Sequence, residues 1–247
     1  MLELLAVAAA GVAAGASNSI AGGGSLITFP TMVALGAPPL TANVTNTVGI
    51  VPGAVGGALG YTDLLREQGE RFARFLAPML IGAVAGTVLL LLTPDAAFEA
   101  IVPALIAASC LLLLFQPRLT PRISHAGNER SPFLTAGILF CGAYGAYFGS
   151  AVSILLFALL ALFVADTLQH LNAVKILLVG CANLLAALAY AFLAPVDWRY
   201  AVTLMASSLL GGRVGAHYAR RIPSDPLRIS IATIGLGVAA VLAVRAF

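Results

Sequence analysis

Apolar residues occupy this chain in long unbroken runs, parted by short polar stretches. The runs are rich in Leu, Ala and Val and lack the strict alternation of barrel strands. Helices are predicted, because a segment in lipid must satisfy its own backbone groups. The segments are Leu2–Ser17, Leu26–Leu35, Thr41–Tyr61, Phe72–Leu92 and Ala97–Phe115, then Pro132–Tyr147, Ser153–Val164, Leu168–Leu193, Trp198–Tyr218 and Pro226–Val244. A full span needs about 20 residues. The first two segments of each set are shorter, and a glycine-bearing break divides them. Each such pair predicts a broken helical hairpin that returns the chain to its starting side.

The two sets repeat. Gly82 and Gly86 of "GAVAG" recur as Gly211 and Gly215 of "GGRVG". The same step of 129 residues (211 − 82) carries Asn43 to Asn172, Tyr61 to Tyr190 and Pro94 to Pro223, and upstream, around the glycine-rich stretch, the register drifts by one to three residues. The fold class expected is all-α: a polytopic membrane protein of two repeats, 1–118 and 131–247, joined by a polar linker over 119–130. A hairpin plus three spans gives each repeat an odd number of crossings, so the repeats are expected to be inverted, a transporter architecture. With this count, Arg66, Arg71, Arg74, Arg118, Arg122, Arg130, Arg220, Arg221 and Arg228 fall on one side, and Arg199 and Arg245 on the other. The arginine-rich side is expected to be cytoplasmic. Both termini then lie outside a bacterial inner membrane.

Composition agrees. Of 247 residues, 60% are hydrophobic and only 9% charged, against about 25% charged in soluble domains. A net charge of +3 is ordinary for a membrane protein and does not point to nucleic acid. The scattered Cys110, Cys141 and Cys181 suggest neither a disulfide framework nor a metal cluster. Glu3, with no Lys or Arg near it, argues against a cleaved signal peptide. No cofactor is expected.

The candidate chemistry lies in the breaks. Ser17–Ser25 reads "SNSIAGGGS". Non-helical backbone at membrane depth is tolerated where it is buried or lines a water-filled cavity. Gly22, Gly23, Gly24 and Ser25 would let a ligand approach the backbone and would aim a helix N-terminus at it, which favours an anion. The second break, "YGAYFGSAVS", keeps Gly149, Ser150 and Ser153. Lys175 and Arg213 are basic residues set inside helices, roughly 10 Å from the end at 1.5 Å per residue. A buried cation without a carboxylate partner is usually functional, although long side chains can also snorkel to water. "TANVTN" supplies Asn43, Thr45 and Asn46; its counterpart "HLNAVK" supplies Asn172 and Lys175, so Asn46 stands in the place of Lys175. Asn183 adds another amide. Amides and hydroxyls around a cation suit an oxyanion, though they also serve as glue between helices.

The order and spacing of "AGGGSLITFPTMVALGAPPLTANVTN", "LNAVKILLVGCANLLAALAY", "PVDW" and "GGRVGAHYARRIP" resemble the sulfite exporter TauE/SafE family over nearly the whole chain. The resemblance implies a permease for sulfite, sulfonates or related sulfur anions. The second glycine block departs from the pattern, being reduced to Phe148-Gly149-Ser150. The expected partners are a small anion, the lipid bilayer and, as one option, a second copy in a homodimer. Rival readings are an anion channel, a carrier of a non-sulfur organic anion, a structural subunit and an intramembrane enzyme. The last lacks a Ser/His dyad, an HExxH motif and a membrane-depth acid–base pair, so no catalytic residue is expected.

Overall fold

The computed structural model describes residues 1–20, 22–59, 61–63, 68–119, 128–218 and 224–246. Most of the linker lies outside them, as do Arg66, Arg122, Arg220 and Arg221. The described chain is helical, with no strand. The helices are α1 (Leu2–Ile20), α2 (Ser25–Ala34), α3 (Pro39–Leu59), α4 (Gly69–Leu92), α5 (Asp95–Leu119), α6 (Pro132–Tyr147), α7 (Val152–Phe163), α8 (Leu168–Leu193), α9 (Trp198–Tyr218) and α10 (Ser224–Ala246). These match the ten apolar segments to within a turn. Among them α1, α4, α5 and α8 are long and apolar enough to cross a membrane. The first break is shorter than its sequence suggests, because Ser17, Asn18 and Ser19 stay helical.

The packing pairs exchange when the halves are exchanged. The first helix of each half packs on the fourth helix of the other: α1 on α9, and α6 on α4. The third helices pack on each other, α3 on α8, and the last two pair as α5 with α10. The halves are therefore interlocked.

Glycines set the seams between first and fourth helices. An added Cβ at Gly211 would run into Val12, and one at Gly215 into Ala16. At the equivalent Gly82 and Gly86 it would run into Leu139 and Ala143. Small residues let helix backbones approach this closely in lipid. These registers make α1 parallel to α9 and α4 parallel to α6. The third helices run in opposite senses: Gly57 lies by Ile176, while Gly180, further along α8, lies by Ala54, earlier in α3.

An ion network closes one end of the bundle. Arg71, at the start of α4, donates to Glu129 at 2.6 Å and to Asp166 at 2.5 Å, and also to the Gln68 side chain. Asp166 in turn meets His170 Nδ1 at 2.6 Å. The network ties the starts of α4, α6 and α8, elements of both halves. Burial raises the Asp166 pKa, but hydrogen bonds from Arg71 and His170 and from the Thr167 N–H outweigh it and hold the carboxyl down at about 2. A depressed carboxylate contributes stability above its unfolded pKa and loses it as pH falls through the folded value. Asp166→Asn should therefore lower the melting temperature by roughly 2–4 °C per kcal/mol lost at neutral pH. The gap to wild type should narrow between about pH 4 and pH 2. A gap unchanged across that range would mean the carboxylate charge is not what holds these helix starts.

Candidate functional site

The two breaks meet at the centre of the bundle. Gly22 lies against Ser153 and Ile154 of the second hairpin, and Gly23 against Leu113 of α5. Phe29 of α2 packs edge-on against Phe148 of the second break, 5.5 Å between centroids. Ser109 of α5 donates to the Ser150 carbonyl at 3.3 Å. One helix, α5, thus touches both breaks.

Each break turns on two left-handed residues. In the first they are Gly22 and Gly23, at φ 94 and 79. In the second they are Gly149, at φ 76, and Ala151, at φ 62. Left-handed backbone costs an L-residue about 1–2 kcal/mol, so the second break, with Ser150 between its two left-handed residues, turns at the cost of strain in Ala151. The lost glycines therefore do not abolish the turn. Within the first break the Gly24 N–H is already occupied, donating to Asn18 Oδ1 at 2.8 Å, and the Ser17 hydroxyl donates to the Gly22 carbonyl at 2.8 Å. The start of α2 is thus partly capped by its own hairpin.

Amides latch each break from the opposite half. Asn172 Nδ2 donates to the Ser19 carbonyl at the end of α1 at 3.3 Å, and Tyr61 donates to the same carbonyl at 3.4 Å. Asn43 Nδ2 donates to the Tyr147 carbonyl at the end of α6 at 2.9 Å, and Tyr190 donates to Ala146 at 2.7 Å. Asn43 and Asn172 are equivalent positions, as are Tyr61 and Tyr190.

Lys175 is enclosed, with 1% of its surface exposed. Its ammonium donates to Asn172 Oδ1 at 2.6 Å and stands 5.7 Å from the Phe157 ring centroid. Neither partner is a carboxylate. The equivalents of Phe157 and Lys175 in the first half are Thr28 and Asn46, and there the Thr28 hydroxyl donates to Asn46 Oδ1. One pair of positions thus carries a neutral hydrogen bond in one half and a cation over a ring in the other.

Between the breaks lies a cavity of about 30 Å³, walled by Asn18, Ser19, Ile50, Gly53, Ala54, Ser153, Ile176, Val179 and Asn183. Ile50 with Val179, and Ala54 with Asn183, are again equivalent pairs. The cavity has room for one or two waters. Of the residues expected from sequence, Ser153 and Asn183 line it. Lys175 and Asn172 reach its wall through Ser19, while Gly22 touches Ser153. Ser25, Asn43, Asn46 and Ser150 are buried nearby in the hairpins or on α3. Thr45 instead accepts the Asp197 N–H at 2.9 Å and fixes the start of α9.

Arg213 departs from expectation. It is exposed on α9, because Gly211, Gly212 and Gly215 take the face turned to α1 and α3. It is not enclosed with Lys175. Asn18, Phe157 and Tyr61 were missed. Phe157 lies where the register of the repeat drifts, and its match to Thr28 rests on the shared partner position, Lys175 for Asn46; the repeat already paired Tyr61 with Tyr190.

The model of the family described as sulfite exporter TauE/SafE matches residues 7–242. A "Probable membrane transporter protein" of Haemophilus influenzae is 29% identical over 223 residues, covering 87% of this chain and 85% of that protein. "Probable membrane transporter protein ORF9" of Sinorhizobium sp is 29% identical, covering 89% of this chain and 83% of its own length. "Probable membrane transporter protein YfcA" of Escherichia coli K12 is 24% identical, over 82% and 76%.

Proposed function

The chain belongs to the sulfite exporter TauE/SafE family, and on that premise we propose that it is a secondary transporter of small sulfur-containing anions, such as sulfite or organosulfonates. Lys175 carries the reading. It is a buried cation with an amide oxygen and a ring for partners, at the junction of two broken helices. A buried charge is costly when its neutralising partner is missing; an anionic substrate would supply that partner. Ser153 and Asn183 in the cavity wall offer hydroxyl and amide donors to its oxygens. Gly22, Gly23, Gly24, Gly149 and Ser150 shape the approach.

Alternating access is supported by the size of the cavity. Room for one or two waters does not admit a sulfonate, so the hairpins must part for binding. The opposed third helices and the exchange of packing pairs favour inverted repeats, the architecture on which such rocking depends. Proteoliposomes loaded with sulfite should show saturable counterflow with external sulfite or a sulfonate, and little with a carboxylate of equal size. Flux that never saturates would make the protein a channel.

The orientation has its own test. Single cysteines at Glu70 and Arg130 should label from the cytoplasmic side, and those at Asp95 and Arg199 from outside. All four are exposed. Labelling of Glu70 and Asp95 from one side would overturn the inverted arrangement.

A further inference from the structure

We propose that Lys175 and Asn172 form a relay through which anion binding releases the first hairpin while leaving the second latched. This rests on Lys175 being the counter-charge of the anion. The Lys175 ammonium donates to Asn172 Oδ1 at 2.6 Å. The other end of the same amide donates to the Ser19 carbonyl at 3.3 Å and to the Tyr61 hydroxyl at 3.1 Å. A cation on an amide oxygen draws electron density from its NH₂ and strengthens the bonds that group donates. It also fixes the rotation of the amide. The buried ammonium thus holds Asn172 on the end of α1, and Asn172 holds the break closed.

An anion that takes the ammonium removes that hold. Among the described residues Lys175 has no carboxylate partner to give up, so the exchange is between an amide oxygen and an anionic oxygen, and the charged acceptor makes the stronger bond. Asn172 then loses its orienting donor, and the Ser19 carbonyl loses part of its latch.

The second half makes the contrast. Asn43, equivalent to Asn172, holds the Tyr147 carbonyl at 2.9 Å. Its Oδ1 is buried with no hydrogen-bond partner among the described residues, and Asn46, in the place of Lys175, takes the Thr28 hydroxyl instead. Among the described residues no cation stands on that latch for an anion to remove. The two hairpins are latched alike, and among the described residues only the first latch is wired to charge. Asn172 is then a positioning residue and not a ligand of the anion.

The sign of one substitution separates these roles. Asn172→Ala frees the ammonium from a competing acceptor. Sulfite binding to the purified full chain should be unchanged or up to about tenfold tighter, where loss of a ligand would weaken it. Hydrogen exchange gives the second readout. In wild type, sulfite should speed exchange over 17–25 at least about threefold and leave 144–153 unchanged. In Asn172→Ala, residues 17–25 should exchange fast already, with no further response. Lys175→Met, which removes a buried charge, should likewise exchange fast over 17–25 without sulfite. Asn43→Ala should loosen 144–153 and leave the response of 17–25 intact. Weaker sulfite binding in Asn172→Ala, an equal response of both breaks, or slow exchange over 17–25 in Lys175→Met would overturn the relay. Wild type that binds neither sulfite nor a sulfonate would instead overturn the transport reading on which it rests.

Discussion

Lys175→Gln should weaken sulfite binding to the purified protein by more than tenfold. A hydrogen bond to a charged group is worth about 1.5–3 kcal/mol net, and each 1.4 kcal/mol is roughly tenfold in affinity. Gln keeps an N–H donor on a side chain one atom shorter and loses the charge. Lys175→Arg should recover part of the binding, because a planar guanidinium keeps the charge but replaces a compact ammonium with a rigid fork. The enclosure of Lys175 sharpens the test. A snorkelling lysine would have its ammonium in water, but this one lies under an aromatic ring against an amide oxygen. Should wild type and Lys175→Gln bind sulfite within twofold of each other, the positive charge of the site would have to come from the hairpin helix ends alone.

The helices and the repeat were legible because their signals are local or periodic. Long apolar runs and glycine-rich breaks are visible in a single pass, and the 129-residue step needs only matched letters. Partnerships across the repeat were not. Asn172 with Ser19, and Asn43 with Tyr147, join residues far apart in sequence, and nothing in either stretch names the other. The facing of helices was hidden for a different reason. Lipid is as apolar as the protein interior, so a membrane helix need not segregate polar from apolar residues, and α6 and α10 show no polar stripe to read. Arg213 and Lys175 therefore looked alike: two cations inside apolar helices. Only the packing separates them, one turned outward beside a glycine seam and the other enclosed. The ion network around Arg71 was not legible either. From the sequence Arg71 marks a membrane side; in the fold Glu129 and Asp166 also converge on it from separate loops, and His170 meets Asp166 in turn.

Gly22→Val and Gly82→Val should fail in different ways. At Gly22 the backbone is left-handed, at φ 94, and an added Cβ would sit 3.0 Å from Ser153 Cβ and 3.3 Å from Ile154 Cγ1. A β-branched residue is a poor occupant of that conformation, and the strain is of order 1–3 kcal/mol. The neighbours are side chains of the second hairpin, which can yield by a few tenths of an ångström. The protein should fold and transport should be largely lost, since the junction of the breaks is wedged where the hairpins must move. At Gly82 the obstacle is backbone: a Cβ would meet the Leu139 carbonyl and lie 2.9 Å from the Ala143 nitrogen. Across the same seam Gly142 abuts Met79 and Ala83. Neither helix can yield without the two moving apart, so folded protein itself should be lost. Size-exclusion profile and melting temperature in detergent report the fold, and sulfite counterflow reports transport. Near-normal transport in Gly22→Val, or loss of folded protein in both variants alike, would make the first break one more packing seam and leave Lys175 as the only part of the site with chemistry of its own.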